Sequence, residues 1–76
     1  MTLTRTRYQM PEYIRLALTE RGLMAAYLAR PEYQQNDYIG WITRAKREET
    51  RQKRLAQLLD ELEGGDRYMK MKGYLR

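Results

Sequence analysis

Apolar residues fall into clusters at helical spacing, and proline and glycine separate these clusters. Ile14, Ala17 and Leu18 occupy positions i, i+3 and i+4, which predicts an amphipathic helix beginning at Pro11. Proline is tolerated in the first turn of a helix because its missing N–H would have no partner there. Gly22 predicts the end of this helix, since glycine adopts the left-handed C-cap geometry at little cost.

Three more helices are predicted beyond Gly22. A short helix covers 23–29 and stops before Pro31, because proline disfavours helical geometry in the residue preceding it. A third covers about 33–45 and a fourth about 49–63. Their apolar positions are Tyr38, Trp41, Ile42 and Ala45 in the third helix, and Leu55, Leu58, Leu59 and Leu62 in the fourth. The pattern predicts an all-α fold, a small bundle of three to four helices with a helical hairpin (about 33–45 and 49–63).

The nine residues 46–54 contain no apolar side chain and separate the last two clusters. On one continuous helix the two apolar faces would differ in direction by roughly 100°. Such a helix would also measure about 37 Å from Tyr38 to Leu62, whereas a globule of this size is about 30 Å across. We therefore predict a break near 46–48. The alternative is one continuous helix that overhangs the globule and is buried in a homodimer.

The helices define one domain with two polar ends. We expect a flexible N-terminal tail at 1–10, a helical domain at 11–63 and a basic C-terminal tail at 64–76, which begins at a glycine pair. A chain of 76 residues is too short for a second domain. A deep catalytic cleft is not expected in so small a domain.

Composition limits the chemistry. Cysteine and histidine are both absent, which excludes disulfides, thiolate nucleophiles, ordinary zinc sites and histidine acid–base catalysis. The longest apolar run is 23–26, far short of the roughly 20 residues of a membrane span. No apolar core of a secretory signal follows Met1. We expect a cytoplasmic, non-enzymatic protein with no membrane span, metal or cofactor.

The net charge of +5 is unevenly distributed. Residues 46–54 and 67–76 are basic, whereas residues 55–66 are acidic. Clustered cations bind phosphates or acidic proteins. The candidate partner- or anion-binding residues are therefore Lys46, Arg47, Arg51, Lys53 and Arg54 in the turn and Arg67, Lys70 and Lys72 in the tail. Arg51 has a structural alternative, because it lies on the leucine face of the fourth helix and can pair with a carboxylate there.

Other features also allow two interpretations. Tyr38 and Trp41 could line a pocket, but aromatic residues at helical spacing are more often core. Asp60, Glu61 and Glu63 could form a carboxylate site, but we expect them to be solvated partners of arginines. The tail interleaves cations with tyrosines, as single-stranded nucleic-acid binders do, yet an exposed terminus explains the same pattern.

A longer motif runs through the predicted hairpin. It consists of Tyr38, Trp41, Ile42, Ala45, Lys46, Glu49, Thr50, Arg51 and Arg54, followed by an amphipathic helix. This order resembles the YdeI/OmpD-associated family, also described as bacteriocin-protection, over about 11–63. The resemblance implies a small all-helical domain and a link to protection against bacteriocins or cationic peptides. It implies no catalytic residues. We assign Tyr38, Trp41, Ile42 and Thr50 to a structural motif.

These observations favour a non-enzymatic interaction domain of the YdeI/OmpD-associated type that acts through an unknown protein partner. The basic turn is the expected contact. The alternative is a nucleic-acid-associated protein that uses the turn 46–54 and the C-terminal tail. Binding to nucleic acid would weaken steeply with salt, whereas protein docking through apolar patches would not.

Overall fold

The computed structural model describes residues 8–64, which form α1 (Glu12–Glu20), α2 (Met24–Leu28), α3 (Glu32–Thr43) and α4 (Glu48–Gly64). The all-α prediction is confirmed, and the predicted helices differ from the observed ones by one or two residues at their ends. Within residues 8–64, no helix combines the length and apolar content needed to cross a bilayer.

Proline and glycine set the ends of α1. The carbonyl of Pro11 accepts hydrogen bonds from the N–H groups of Ile14 and Arg15 at the start of the helix. At the other end Gly22 has a φ of 69°, which is left-handed. The N–H of the following residue, Leu23, donates to the Leu18 carbonyl at 2.8 Å. This pairing is the glycine C-cap that the sequence predicts.

The core lies where all four helices meet. Its buried side chains are Ile14 and Leu18 of α1, Tyr27 of α2, Tyr38, Ile39 and Ile42 of α3, and Leu55, Leu58, Leu59 and Leu62 of α4. The four leucines share one face of α4, as the spacing predicts. Trp41 is only half-buried and packs against the edge of this core.

Helices α3 and α4 are separate and form the predicted hairpin. Residues 44–47 connect them, and the N–H of Ala45 still donates to the Ile42 carbonyl at 3.3 Å. The break lies about two residues earlier than predicted, because α3 ends at Thr43 rather than at Ala45. It lets the apolar faces of both helices point into the same core.

Residues 8–10 contact the bundle, although the sequence analysis placed them in the N-terminal tail. The N–H of Tyr8 donates to Oδ1 of Asn36 at 2.8 Å, and Met10 packs against the core. The Tyr8 ring lies on Gly40, where a side chain would collide with it. The packed segment therefore extends at least to Tyr8. Residues 1–7 and 65–76 lie outside the described part.

Candidate functional site

Arg51 binds the backbone of the connection between α3 and α4. Its Nη1 donates to the carbonyl of Ala45 at 2.9 Å and to that of Lys46 at 3.2 Å. Its Nη2 donates to a carboxylate oxygen of Glu48 at 2.8 Å. These carbonyls follow the last turn of α3, so no helical N–H is available to them. Arg51 thereby fixes the connection to the first turns of α4.

Glu48 holds Arg51 in this position. The hydrogen bond from Arg51, assisted by one from Gln52 at 2.9 Å, keeps the pKa of the Glu48 carboxyl below its usual value of 4.5. Glu48 lies in the first turn of α4, where a negative charge also suits the helix dipole. The carboxylate therefore remains charged at neutral pH and orients the arginine.

Arg54 makes an equivalent contact one turn further along α4. Its Nη1 donates to the carbonyl of Trp41 at 2.6 Å, and its guanidinium lies 5.2 Å from the centroid of the indole ring. The ring of Tyr38 lies 6.4 Å from that of Trp41 at an angle of 56°. Two arginines of the predicted basic turn therefore bind the end of α3 rather than pointing outward.

Three cations of the turn do face solvent: Lys46, Arg47 and Lys53. We call this set the basic face. Arg47 lies 3.7 Å from Glu49 in an ion pair whose two side chains are about three-quarters exposed. Such pairs are weak in water. The remaining candidates, Arg67, Lys70 and Lys72, lie outside the described residues.

The motif residues occupy the interior of the hairpin. Tyr38 and Ile42 are fully buried. Thr50 is half-buried in the first turns of α4, and its N–H donates to the Arg47 carbonyl at 3.1 Å. With Trp41 at the edge of the core, these four residues lie at the joint between α3 and α4.

A buried carboxylate lies on the opposite stretch of α4. Glu61 is 1% exposed and accepts hydrogen bonds from the Tyr38 hydroxyl and, at 3.0 Å, from Gln57. Arg30 of α2 donates to its backbone carbonyl at 3.3 Å and lies 5.9 Å from the Tyr38 ring centroid. The expectation that Glu61 is solvated is therefore wrong, because the Tyr38 hydroxyl draws the carboxylate into the core.

The other two carboxylates of the predicted cluster are exposed. Glu63 pairs with Arg21 of α1 at 2.9 Å, as expected of a solvated partner of an arginine. Asp60 also faces solvent. The clue to Glu61 was available in the sequence: it follows Leu58 by three positions, and a core tyrosine needs a partner for its hydroxyl. Within residues 8–64, no group of three acidic side chains is arranged to hold a metal ion.

Comparison with known proteins supports the geometry. A model of the family described as bacteriocin-protection, YdeI or OmpD-associated matches residues 7–65. Searches of curated proteins and of solved structures gave no match. The matched segment begins next to Tyr8 and ends next to Gly64, so it includes all four helices and the joint built by Arg51 and Arg54. The chain therefore belongs to the YdeI/OmpD-associated, bacteriocin-protection family.

Proposed function

We propose that this chain is a non-enzymatic interaction domain that binds an acidic surface of a protein partner through its basic face. The observation that carries the proposal is the division of labour within the turn. Arg51 and Arg54 bind backbone carbonyls and hold the turn in shape, while the basic face is exposed. A fixed backbone lowers the ordering cost of binding.

The pattern of charge favours a protein over nucleic acid. Carboxylates accompany the cations of the turn, with Glu49 beside Arg47 and Glu48 beside Arg51. A phosphate backbone would meet these negative charges, and only a few cations would remain to release its counterions. An acidic protein surface with its own mixed polar groups suits such a pattern better. Nucleic-acid binding is the alternative that the experiment below distinguishes.

The position of the buried carboxylate supports a non-enzymatic role. Glu61 is enclosed by the core and holds the Tyr38 hydroxyl and Gln57. A general acid or base must reach its substrate, and this carboxylate is out of reach of one. Its contacts instead join α4 to α3.

A protective role against cationic peptides would be indirect. A chain with a net charge of +5 repels cationic peptides, so direct capture by the basic face is disfavoured. Binding an acidic partner that acts on the stress would reconcile the family description with this charge. We include that link in the proposal.

Capture from a cell lysate with matched variants tests the proposal. Lys46→Ala with Lys53→Ala lowers the net charge by two at the basic face. Ala25→Glu with Ala29→Glu lowers it by the same amount on exposed positions of α2 and the residue after it. Each immobilised chain is incubated with lysate with and without nuclease, and the bound proteins are quantified by mass spectrometry.

We expect the unmodified chain and the α2 variant to retain the same partner, and the basic-face variant to lose it. Nuclease treatment should leave the capture unchanged. If nuclease abolishes capture, and a nucleic-acid pool binds at about 50 mM but not at about 200 mM salt, the nucleic-acid alternative replaces the proposal. Equal capture by both variants would show that the basic face is not the contact.

A further inference from the structure

A shallow groove of about 240 Å³ lies between the end of α1 and the middle of α4. Its apolar lining comes from Ala17 of α1 and from Leu55, Ala56 and Leu59 of α4. Leu55 and Leu59 are almost fully buried, whereas Ala56 between them is exposed. The groove therefore has an apolar floor that is open to a ligand along its length.

Exposed apolar side chains extend this surface along α1. Tyr13 is 36% exposed and Leu16 is 48% exposed. Tyr13 precedes Ala17 by four positions, which places both on the same side of the helix. Within residues 8–64, the α1 side of the groove is thus an apolar strip that no other element covers.

Acidic residues surround the groove at its α4 end. Glu20 lines it directly. Glu63 follows Leu59 by four positions and reaches Arg21 across the end of the groove. Residues 55–66 contain no lysine or arginine after Arg54 and before Arg67. A ligand with apolar side chains and positive charge would complement this surface.

The chain itself continues with such a segment. Residues 65–76 lie outside the described part and, after Gly65, outside the family match. The segment 67–76 carries cations and apolar side chains and no carboxylate; it reads Arg67, Tyr68, Met69, Lys70, Met71, Lys72, Gly73, Tyr74, Leu75, Arg76. When extended it spans about 33 Å, whereas the distance along α4 from Gly64 back to Gln52 is about 18 Å.

We propose that residues 67–76 fold back and cover the groove between α1 and α4 of the same molecule. Their apolar side chains lie against Ala17 and Ala56, and their cations face Glu20 and Glu63. The attachment to α4 places the segment beside the groove at high effective concentration. This intramolecular contact is separate from the basic face, so it stands or falls independently of the proposed function.

Paramagnetic NMR on the full chain tests this contact. The protein contains no cysteine, so Gly73→Cys provides a unique position for a nitroxide spin label. Ala56→Lys places a bulky cation in the groove, and Ala25→Lys adds the same residue at an exposed position of α2. Both alanines are exposed, so both variants should fold. The amide signals of Ala17, Ala56 and Leu59 are compared with the label oxidised and reduced.

We expect the oxidised label to broaden the groove signals selectively, and Ala56→Lys but not Ala25→Lys to abolish the broadening. For a variant at position 56, Ala17 and Leu59 provide the readout. Absent or uniform broadening would overturn the proposal. Mixing spin-labelled chain with unlabelled ¹⁵N chain provides a second test, because broadening in the mixture would identify a second copy as the occupant and refute the intramolecular contact.

Discussion

Arg51 and Lys53 lie two positions apart in α4 and carry the same charge, but their surroundings differ. The Arg51 side chain is 29% exposed and donates to two backbone carbonyls and to Glu48. Lys53 faces solvent. The comparison separates the effect of position from that of charge, since either residue can be replaced by alanine with the same change in net charge.

We expect Arg51→Ala to lower the free energy of unfolding by about 1–3 kcal/mol, because the carbonyls of Ala45 and Lys46 lose their donor. Lys53→Ala should change it by less than about 0.5 kcal/mol. Urea unfolding followed by circular dichroism measures both. Equal stability of the two variants would reject the structural role of Arg51.

The same substitution should alter the titration of Glu48. Its folded-state pKa lies below 4.5 because Arg51 donates a hydrogen bond to the charged form. A lowered pKa contributes stability above the unfolded value, and that contribution is lost as the pH falls through the folded value. In Arg51→Ala the pKa of Glu48 should rise toward 4.5, as NMR titration of its side-chain carboxyl would show. An unchanged titration would mean that Arg51 does not set it.

Tyr38 and Tyr33 offer a second matched pair. The Tyr38 hydroxyl donates to buried Glu61, whereas Tyr33 is 53% exposed. Tyr38→Phe leaves a buried carboxylate without one of its donors and should cost about 1–3 kcal/mol of unfolding free energy. Tyr33→Phe should cost less than about 0.5 kcal/mol. Thermal and urea unfolding would detect the difference; similar losses would contradict the role assigned to the Tyr38 hydroxyl.

At the scale of elements, Tyr8 attaches the segment before α1 to α3. Its hydroxyl accepts a hydrogen bond from Arg44 at 3.0 Å, and the Arg44 guanidinium lies 5.8 Å from its ring centroid. The ring occupies the space that a side chain at Gly40 would need, since a Cβ there would lie 2.5 Å from Cε2 of Tyr8. Gly40 is therefore kept in the helix by packing, against its intrinsic helix propensity.

A double-mutant cycle tests this coupling. In a Tyr8→Ala background, Gly40→Ala should stabilise the protein by about 1 kcal/mol, because alanine is the better helix former. With Tyr8 present the gain should disappear or reverse, since the ring must move away. The cycle is measured by urea unfolding. Additive effects would show that Tyr8 does not pack on Gly40 in solution.

The elements themselves were largely predictable because each has a local cause. Pro11, Gly22 and Pro31 mark helix ends through their own backbone restrictions. The break before α4 followed from the change in direction between two apolar faces. The packing of residues 8–10 was not predictable in this way, because the partner of Tyr8 is a glycine on another helix, and nothing near Tyr8 in the sequence indicates it.

At the scale of the whole molecule, burial of Tyr27 makes stability depend on alkaline pH. Burial raises the pKa of Tyr27 from 10.0 to about 12. The folded state thus keeps the proton that the unfolded chain releases near pH 10. The contribution of Tyr27 to stability is complete below pH 10 and is lost as the pH rises toward about 12.

Tyr27→Phe should remove this component. The variant should lose less unfolding free energy than the unmodified chain between about pH 10 and pH 12, although it lacks the hydrogen bond from Tyr27 to the Gln35 carbonyl. Chemical unfolding at a series of pH values gives both curves. Parallel curves would show that Tyr27 ionises alike in the folded and unfolded states.

The candidate site was predictable only in part for reasons of the same scale. A helical projection placed Arg51 on the leucine face, where its carbonyl partners lie. It treated α4 alone, however, and the environment of Glu61 depends on Tyr38 from α3 and Arg30 from α2. A buried polar cluster assembled from three helices leaves no periodic trace in any one of them.

The contact between Tyr38 and Glu61 has a consequence for how α4 finds its alignment. Leucines at positions 55, 58, 59 and 62 would pack almost as well if α4 slid by one turn, because apolar contacts are not directional. Such a slip would place Gln57 or Leu58 at the Tyr38 hydroxyl and leave the charge of Glu61 among apolar side chains. The pair therefore acts as a key that admits one register, a use of buried polar groups known from coiled coils. Tyr38→Phe combined with Glu61→Leu should retain stability while the amide NMR spectrum shows more than one set of α4 signals; a single set would show that the leucines alone define the register.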